Sequence, residues 1–156
     1  WQTNSISPSH EHFITSLIKQ KIHSLCEKLQ ENQPQKTDET YVLYLPDNEI
    51  HELGLLYLNY EILDHGYKTI FLGQSVPTTS LSNFQDKSDK IIFVSCFTIE
   101  PNSDSVNEYL DEFEKEVLST EGSELWITGY QAQYIAKPKN PRIRIFESSA
   151  LLIKEL

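Results

Sequence analysis

The sequence predicts an α/β fold: a five-stranded, parallel, doubly wound sheet preceded by one helix. Three observations carry this. Short continuous apolar runs such as Tyr41-Val42-Leu43-Tyr44-Leu45 lack polar alternation, as expected of strands covered on both faces. Apolar residues elsewhere recur at three- and four-residue steps, the spacing of a helix face. The two patterns alternate along the chain from residue 41 onward, which is the signature of βα units.

Ser7-Pro8-Ser9 opens the first helix, whose Ile14, Leu17, Ile18, Ile22, Leu25 and Leu29 place an amphipathic stripe over residues 10–30. The polar stretch that follows contains Pro34, and residues 34–40 read as a linker. The first strand, 41–45, ends at Pro46. Leu53, Leu56, Tyr57, Tyr60 and Leu63 trace the next helix, which stops at Gly66, a residue free to adopt left-handed angles. Residues 69–72 form a second strand with a short helix opening near Pro77. Residues 91–97 form a third, followed by a helical stripe of Val106, Leu110, Phe113 and Val117. A fourth strand covers 125–128. Ile143-Arg144-Ile145 alternates like a half-exposed edge strand, and a last helix lies near 148–155. The expected strand order is the flavodoxin-like one, in which ligands bind beyond the carboxyl ends of the strands.

At 156 residues the chain fits one globular unit, and no apolar run approaches the roughly 20 residues of a membrane span. Thirteen Lys and Arg against 23 Asp and Glu give a net charge of −10, so this chain by itself should not bind DNA. Cys26 and Cys96, 70 residues apart, read as free thiols of a reducing compartment, and without a secretory signal the expected location is cytoplasmic. The chain begins at Trp1 and contains no methionine, which suggests a piece of a longer polypeptide.

Asp47-Asn48-Glu49-Ile50-His51-Glu52-Leu53-Gly54 follows the first strand, where the fold places ligands. A loop histidine there can offer an imidazole nitrogen to a metal while a carboxylate two residues earlier holds its other N–H. Glu49 and His51 have that spacing, and Gly54 would let a large planar ligand approach the helix start. The same segment also reads as a solvated helix entry, with Glu49 and Glu52 favouring the positive helix end.

Carboxylate-x-His-x-x-Gly at this point resembles the lower-ligand signature of cobalamin-binding domains, with Glu49 where most members have Asp. Trp1, nine residues and Glu11-His12 resemble the upper-face signature of the light-responsive, cobalamin-dependent subgroup of MerR-type transcriptional regulators. The likeness continues through Phe13, Leu45-Pro46, Leu55-Leu56, Leu72-Gly73, Val76-Pro77 and Ser95. It departs after strand three, where Ser95-Cys96-Phe97 replaces Ser-x-Leu, and after strand four, where Thr128-Gly129 replaces Gly-Gly.

The resemblance implies a helical-bundle remnant over 1–33 that caps the upper cobalamin face, and a flavodoxin-like cobalamin-binding domain over 41–156. It implies adenosylcobalamin, with His51 as lower cobalt ligand, Glu49 as its partner, and Trp1 and Glu11 around the adenosyl group. His12 would take the upper cobalt position after light removes that group. In the resembled domains the dimethylbenzimidazole tail leaves cobalt and inserts beside the sheet. Gly73, Ser95 and Gly129 are candidates to line its path; they also read as ordinary turn and strand-end residues. The expected output is altered homo-oligomerisation and DNA binding through a region outside this chain.

An enzymatic role is not expected. No Gly-rich loop follows the first strand to wrap phosphates, and Ser95 stands where a phospho-acceptor receiver domain needs Asp. Two alternatives remain: a corrinoid carrier for a methyltransferase, which needs an open upper face, and a flavodoxin-like interaction module without ligand.

Overall fold

The computed structural model describes residues 7–84, 90–119 and 122–156. Trp1 lies outside them. Five parallel strands, β1 (Lys36–Tyr44), β2 (Tyr67–Gly73), β3 (Lys90–Cys96), β4 (Ser123–Thr128) and β5 (Ile143–Ile145), form one sheet in the order β2-β1-β3-β4-β5. The alternation therefore yields the expected doubly wound topology, with Ile143–Ile145 at an edge.

Successive side chains of the central strands point to opposite faces. Val42, Tyr44, Ile91 and Phe93 join the core under α3 (Thr78–Leu81) and α4 (Val106–Glu116). Tyr41, Leu43, Ile92 and Val94 join the second core, under α2 (Leu53–Asp64) and α5 (Ser149–Ile153). Between β4 and β5 a 3₁₀ turn, Tyr130–Tyr134, replaces a crossover helix.

The segment expected as a linker, 34–40, is a correction: β1 already begins at Lys36. The amides of Gln35 and Lys36 both donate to the Gly66 carbonyl at 3.0 Å, which seats the chain beside β2. Its polar residues stay at the solvated amino edge, where Glu39 meets Lys90 at 3.0 Å, so no apolar signal marks this half of the strand.

The first helix, α1 (Pro8–Gln30), begins at Ser7, whose side chain accepts from the His10 amide, with Pro at the first helical position. It packs on α2, burying Cys26, to which the Asn59 amide donates at 3.4 Å. Near its middle, Lys19 reaches Glu52 at 2.8 Å. Both contacts join residues 33 apart, so α1 and α2 run parallel. At 1.5 Å per residue, the eleven residues ahead of Lys19 carry α1 roughly 16 Å past the start of α2. That stretch stands beyond the carboxyl edge of the sheet and exposes Phe13, Ile14, Leu17 and Ile18. Among the described residues no helix is long and apolar enough to cross a membrane.

Gly129 and Gly122 both have positive φ, 106° and 95°. A Cβ on Gly129 would lie 2.4 Å from the Phe97 carbonyl oxygen and 2.7 Å from its nitrogen, whereas one on Gly122 meets nothing within 4 Å. Gly122→Ala should cost about 1 kcal/mol, the left-handed penalty alone, and Gly129→Ala about 3 kcal/mol or more, because backbone must move. Denaturant unfolding of the two variants measures the difference.

Candidate functional site

The loops leaving β1, β2 and β3 are tied together at the carboxyl edge of the sheet. The Leu45 amide donates to the Gly73 carbonyl at 2.8 Å, the Val76 amide to the Leu45 carbonyl at 2.9 Å, and the Asn48 amide to Ser75 Oγ at 3.1 Å. Gly73, with φ 81°, makes the turn that ends β2; an added Cβ would sit 3.9 Å from Glu52 Oε2.

At the centre is the Glu49 carboxylate, which has no exposed surface. Oε1 accepts from the amides of Ile50 and His51, both at 2.9 Å, and from His51 Nδ1 at 2.7 Å. Oε2 accepts from three consecutive amides: Thr98 at 3.1 Å, Ile99 at 2.6 Å and Glu100 at 2.9 Å. Burial would raise the Glu49 pKa, but the hydrogen bonds from Ile99, Glu100 and His51 outweigh it and bring it down to about 2. The carboxylate is therefore ionised and can only accept, so the His51 proton sits on Nδ1. Nε2 is left with its lone pair on a ring that is 47% exposed.

Two large apolar side chains rise from the loops that Glu49 joins: Ile50, 59% exposed, and Ile99, 53% exposed. Tyr130, 65% exposed, stands at the end of β4. Isolated exposed apolar residues are common; Ile50 and Ile99 stand out because the backbone amide of each donates to the Glu49 carboxylate. A bare cation finds no cage at this edge, since no group of three or more His, Cys, Asp or Glu suited to a metal occurs among the described residues.

The structure brings Glu49 and His51 together as their spacing implies. Gly54, in the first turn of α2, is spent on packing: its missing side chain admits Cys96 Sγ, which would lie 3.2 Å from an added Cβ. Ser95 is buried in β3 and donates to the Tyr44 carbonyl at 2.8 Å. Gly129 lies against the Phe97 backbone. Glu11 and His12 are on the projecting part of α1, where Glu11 accepts from Thr15 Oγ1 at 3.1 Å and His12, largely exposed, lies 3.7 Å from Glu11. Among the described residues no hydrogen bond or ion pair joins either of them to His51. Sequence reasoning missed the Thr98–Glu100 amides, because backbone donors have no side-chain signature. The length of Glu49 was the available signal: one methylene more than Asp extends its reach toward a neighbouring loop.

The folded pKa of Glu49 lies below the ordinary carboxylate value of 4.5, so its contribution to stability is full above that value and is lost as pH falls toward 2. The stability gap between wild type and Glu49→Gln should narrow by about 3 kcal/mol between about pH 5 and pH 2. Urea unfolding of both proteins across that range checks this.

No protein-family model and no curated protein matches the sequence. Solved structures do match the fold. The Methanosarcina barkeri monomethylamine corrinoid protein superposes with a TM-score of 0.72 at 14% identity, covering 99% of this chain and 73% of that one. A cobalamin-binding protein from Desulfitobacterium hafniense DCB-2 superposes with a TM-score of 0.58 at 16% identity, covering 90% of this chain and 68% of that one. At these identities the likeness is one of fold, and that fold is the α/β flavodoxin-like unit.

Proposed function

We propose that this chain is a non-catalytic cobalamin-binding domain in which His51 Nε2 binds cobalt from below. The observation that carries the reading is the Glu49-held imidazole, half exposed on the loop that follows β1 at the carboxyl edge of the sheet. The solved structures that share the fold add support, since both are described as corrinoid- or cobalamin-binding. Glu49 fixes the tautomer and aims the ring, and Ile50 and Ile99 give the macrocycle an apolar seat. The projecting part of α1 supplies a second wall, bearing Glu11 and His12. When bound, the cofactor supplies a cobalt–carbon bond that light can cleave.

On this reading the domain belongs to a light-responsive transcriptional regulator. Glu11 would face the upper adenosyl group in the dark, His12 would take the vacated position after illumination, and the resulting change in α1 would alter self-association and DNA binding elsewhere in the protein. A corrinoid carrier is the second reading, favoured by the coverage of the Methanosarcina barkeri protein. Photolability of the bound alkylcobalamin separates the two readings, because a carrier must open its upper face to partner enzymes and needs no light-driven change.

Titration with adenosylcobalamin in the dark tests the ligand. His51→Ala should weaken binding more than tenfold and abolish the histidine-ligated absorption spectrum; equal affinity and an unchanged spectrum would remove His51 from cobalt. Illumination tests the sensor. The dark spectrum of His12→Ala should match wild type, while only wild type and a His23→Ala control should develop a bis-imidazole spectrum in light. Identical photoproducts from all three would exclude His12 as the upper ligand.

A further inference from the structure

We propose that this chain selects corrinoids by the ring and by His51, and leaves the nucleotide tail outside the flanks of the sheet. The inference rests on the cobalamin-binding reading above and narrows its ligand class. It follows from how both faces of the sheet are filled where a tail would enter.

On the face under α3 and α4, Tyr44, Phe93, Phe97 and Phe113 are fully buried. Tyr44 stacks on Phe113 with ring centres 6.0 Å apart, and its hydroxyl meets that of Tyr109 at 2.8 Å. Ser95, whose hydroxyl was a candidate to line the tail's path, is engaged by the Tyr44 carbonyl on the neighbouring strand. On the face under α2 and α5, Cys96, Trp126, Phe146 and Leu152 are at most 8% exposed. Trp126 packs between Tyr41 and Phe146, at 5.8 and 5.3 Å, and its Nε1 donates to Glu124 at 2.9 Å.

The gap between the ends of β3 and β4 is closed by backbone. The Phe97 amide donates to the Thr128 carbonyl at 2.8 Å and the Gln131 amide to the Phe97 carbonyl at 2.9 Å. Gly129 has no side chain because the Phe97 backbone occupies that space, so its smallness leaves no channel. The sequence departures fall at these points: Phe97 and Cys96 at the end of β3, Thr128 before Gly129. Interiors packed at crystal-like density take a bicyclic base only if a core ring is displaced. Clefts at this edge include one of about 440 Å³ among Thr128, Gly129, Tyr130, Gln133 and Glu147–Ser149, and one of about 310 Å³ beside α3 and α4 among Pro46, Asp47, Thr78, Pro101 and Tyr109; neither reaches the Trp126 or Phe113 rings that fill the two faces.

Cobalamin carries its own base on the lower face of cobalt, and His51 must displace it. If the protein gives that base no pocket, nothing compensates for its release, and a corrinoid without the nucleotide should bind at least as tightly. The test compares the affinities of cobalamin and cobinamide, which lacks the nucleotide, for the wild-type chain, following absorption for histidine ligation. In parallel, the Trp126 indole N–H is followed by NMR in each complex. Cobinamide binding as tightly as cobalamin or tighter, with the same Trp126 resonance in both complexes, is the expected result. Cobalamin binding more than threefold tighter, or a Trp126 resonance displaced only by cobalamin, would overturn the tail inference and leave His51 as cobalt ligand. Failure of both corrinoids to bind would overturn this inference together with the reading it rests on.

Discussion

A carboxylate with no exposed surface remains ionised only if its lone pairs are engaged, and Glu49 meets that demand with five backbone amides and one imidazole. The donors come from its own loop and from the loop after β3, whose amides lie 49 to 51 residues further along the chain than Glu49, so one side chain ties the two loops together at the carboxyl edge of the sheet. Its position dictates the tautomer of His51, the path of the Thr98–Glu100 backbone, and the exposure of Ile50 and Ile99. Charge-assisted hydrogen bonds of this kind are strong because both the ion and its donors are withdrawn from water. The loop carrying His51 is thereby held in one arrangement by the protein's own hydrogen bonds.

The remainder of the fold gives that carboxylate a rigid frame. Two apolar cores, one on each face of a parallel sheet, hold β1 and β3 adjacent, and their register, Tyr44 opposite Ser95, brings the two loops within reach of one Glu side chain. The same packing limits what the site can accept. Aromatic rings and backbone hydrogen bonds fill the flanks, and the carboxyl edge and the projecting part of α1 remain exposed. The Lys19–Glu52 pair ties that helix to the residue next to His51.

The sequence by itself determined the βα alternation, the five strands and the edge position of Ile143–Ile145, because burial on both faces demands continuous apolar runs and those are visible without coordinates. It also determined the Glu49–His51 pairing, since two residues of separation in a loop suffice for a carboxylate to reach an imidazole. The start of β1 was not legible: Lys36–Thr40 are polar, and only hydrogen bonds to a distant glycine carbonyl and pairing with Lys90 make them strand. Nor could sequence say why Gly54 and Gly129 lack side chains. A glycine that admits a ligand and one that admits Cys96 or the Phe97 backbone are identical letters, and only tertiary packing decides which neighbour occupies the space. The three amides that complete the Glu49 cradle were hidden for the same reason: every residue but proline carries one, and what sets these apart is that the chain leaving β3 aims them at one carboxylate oxygen.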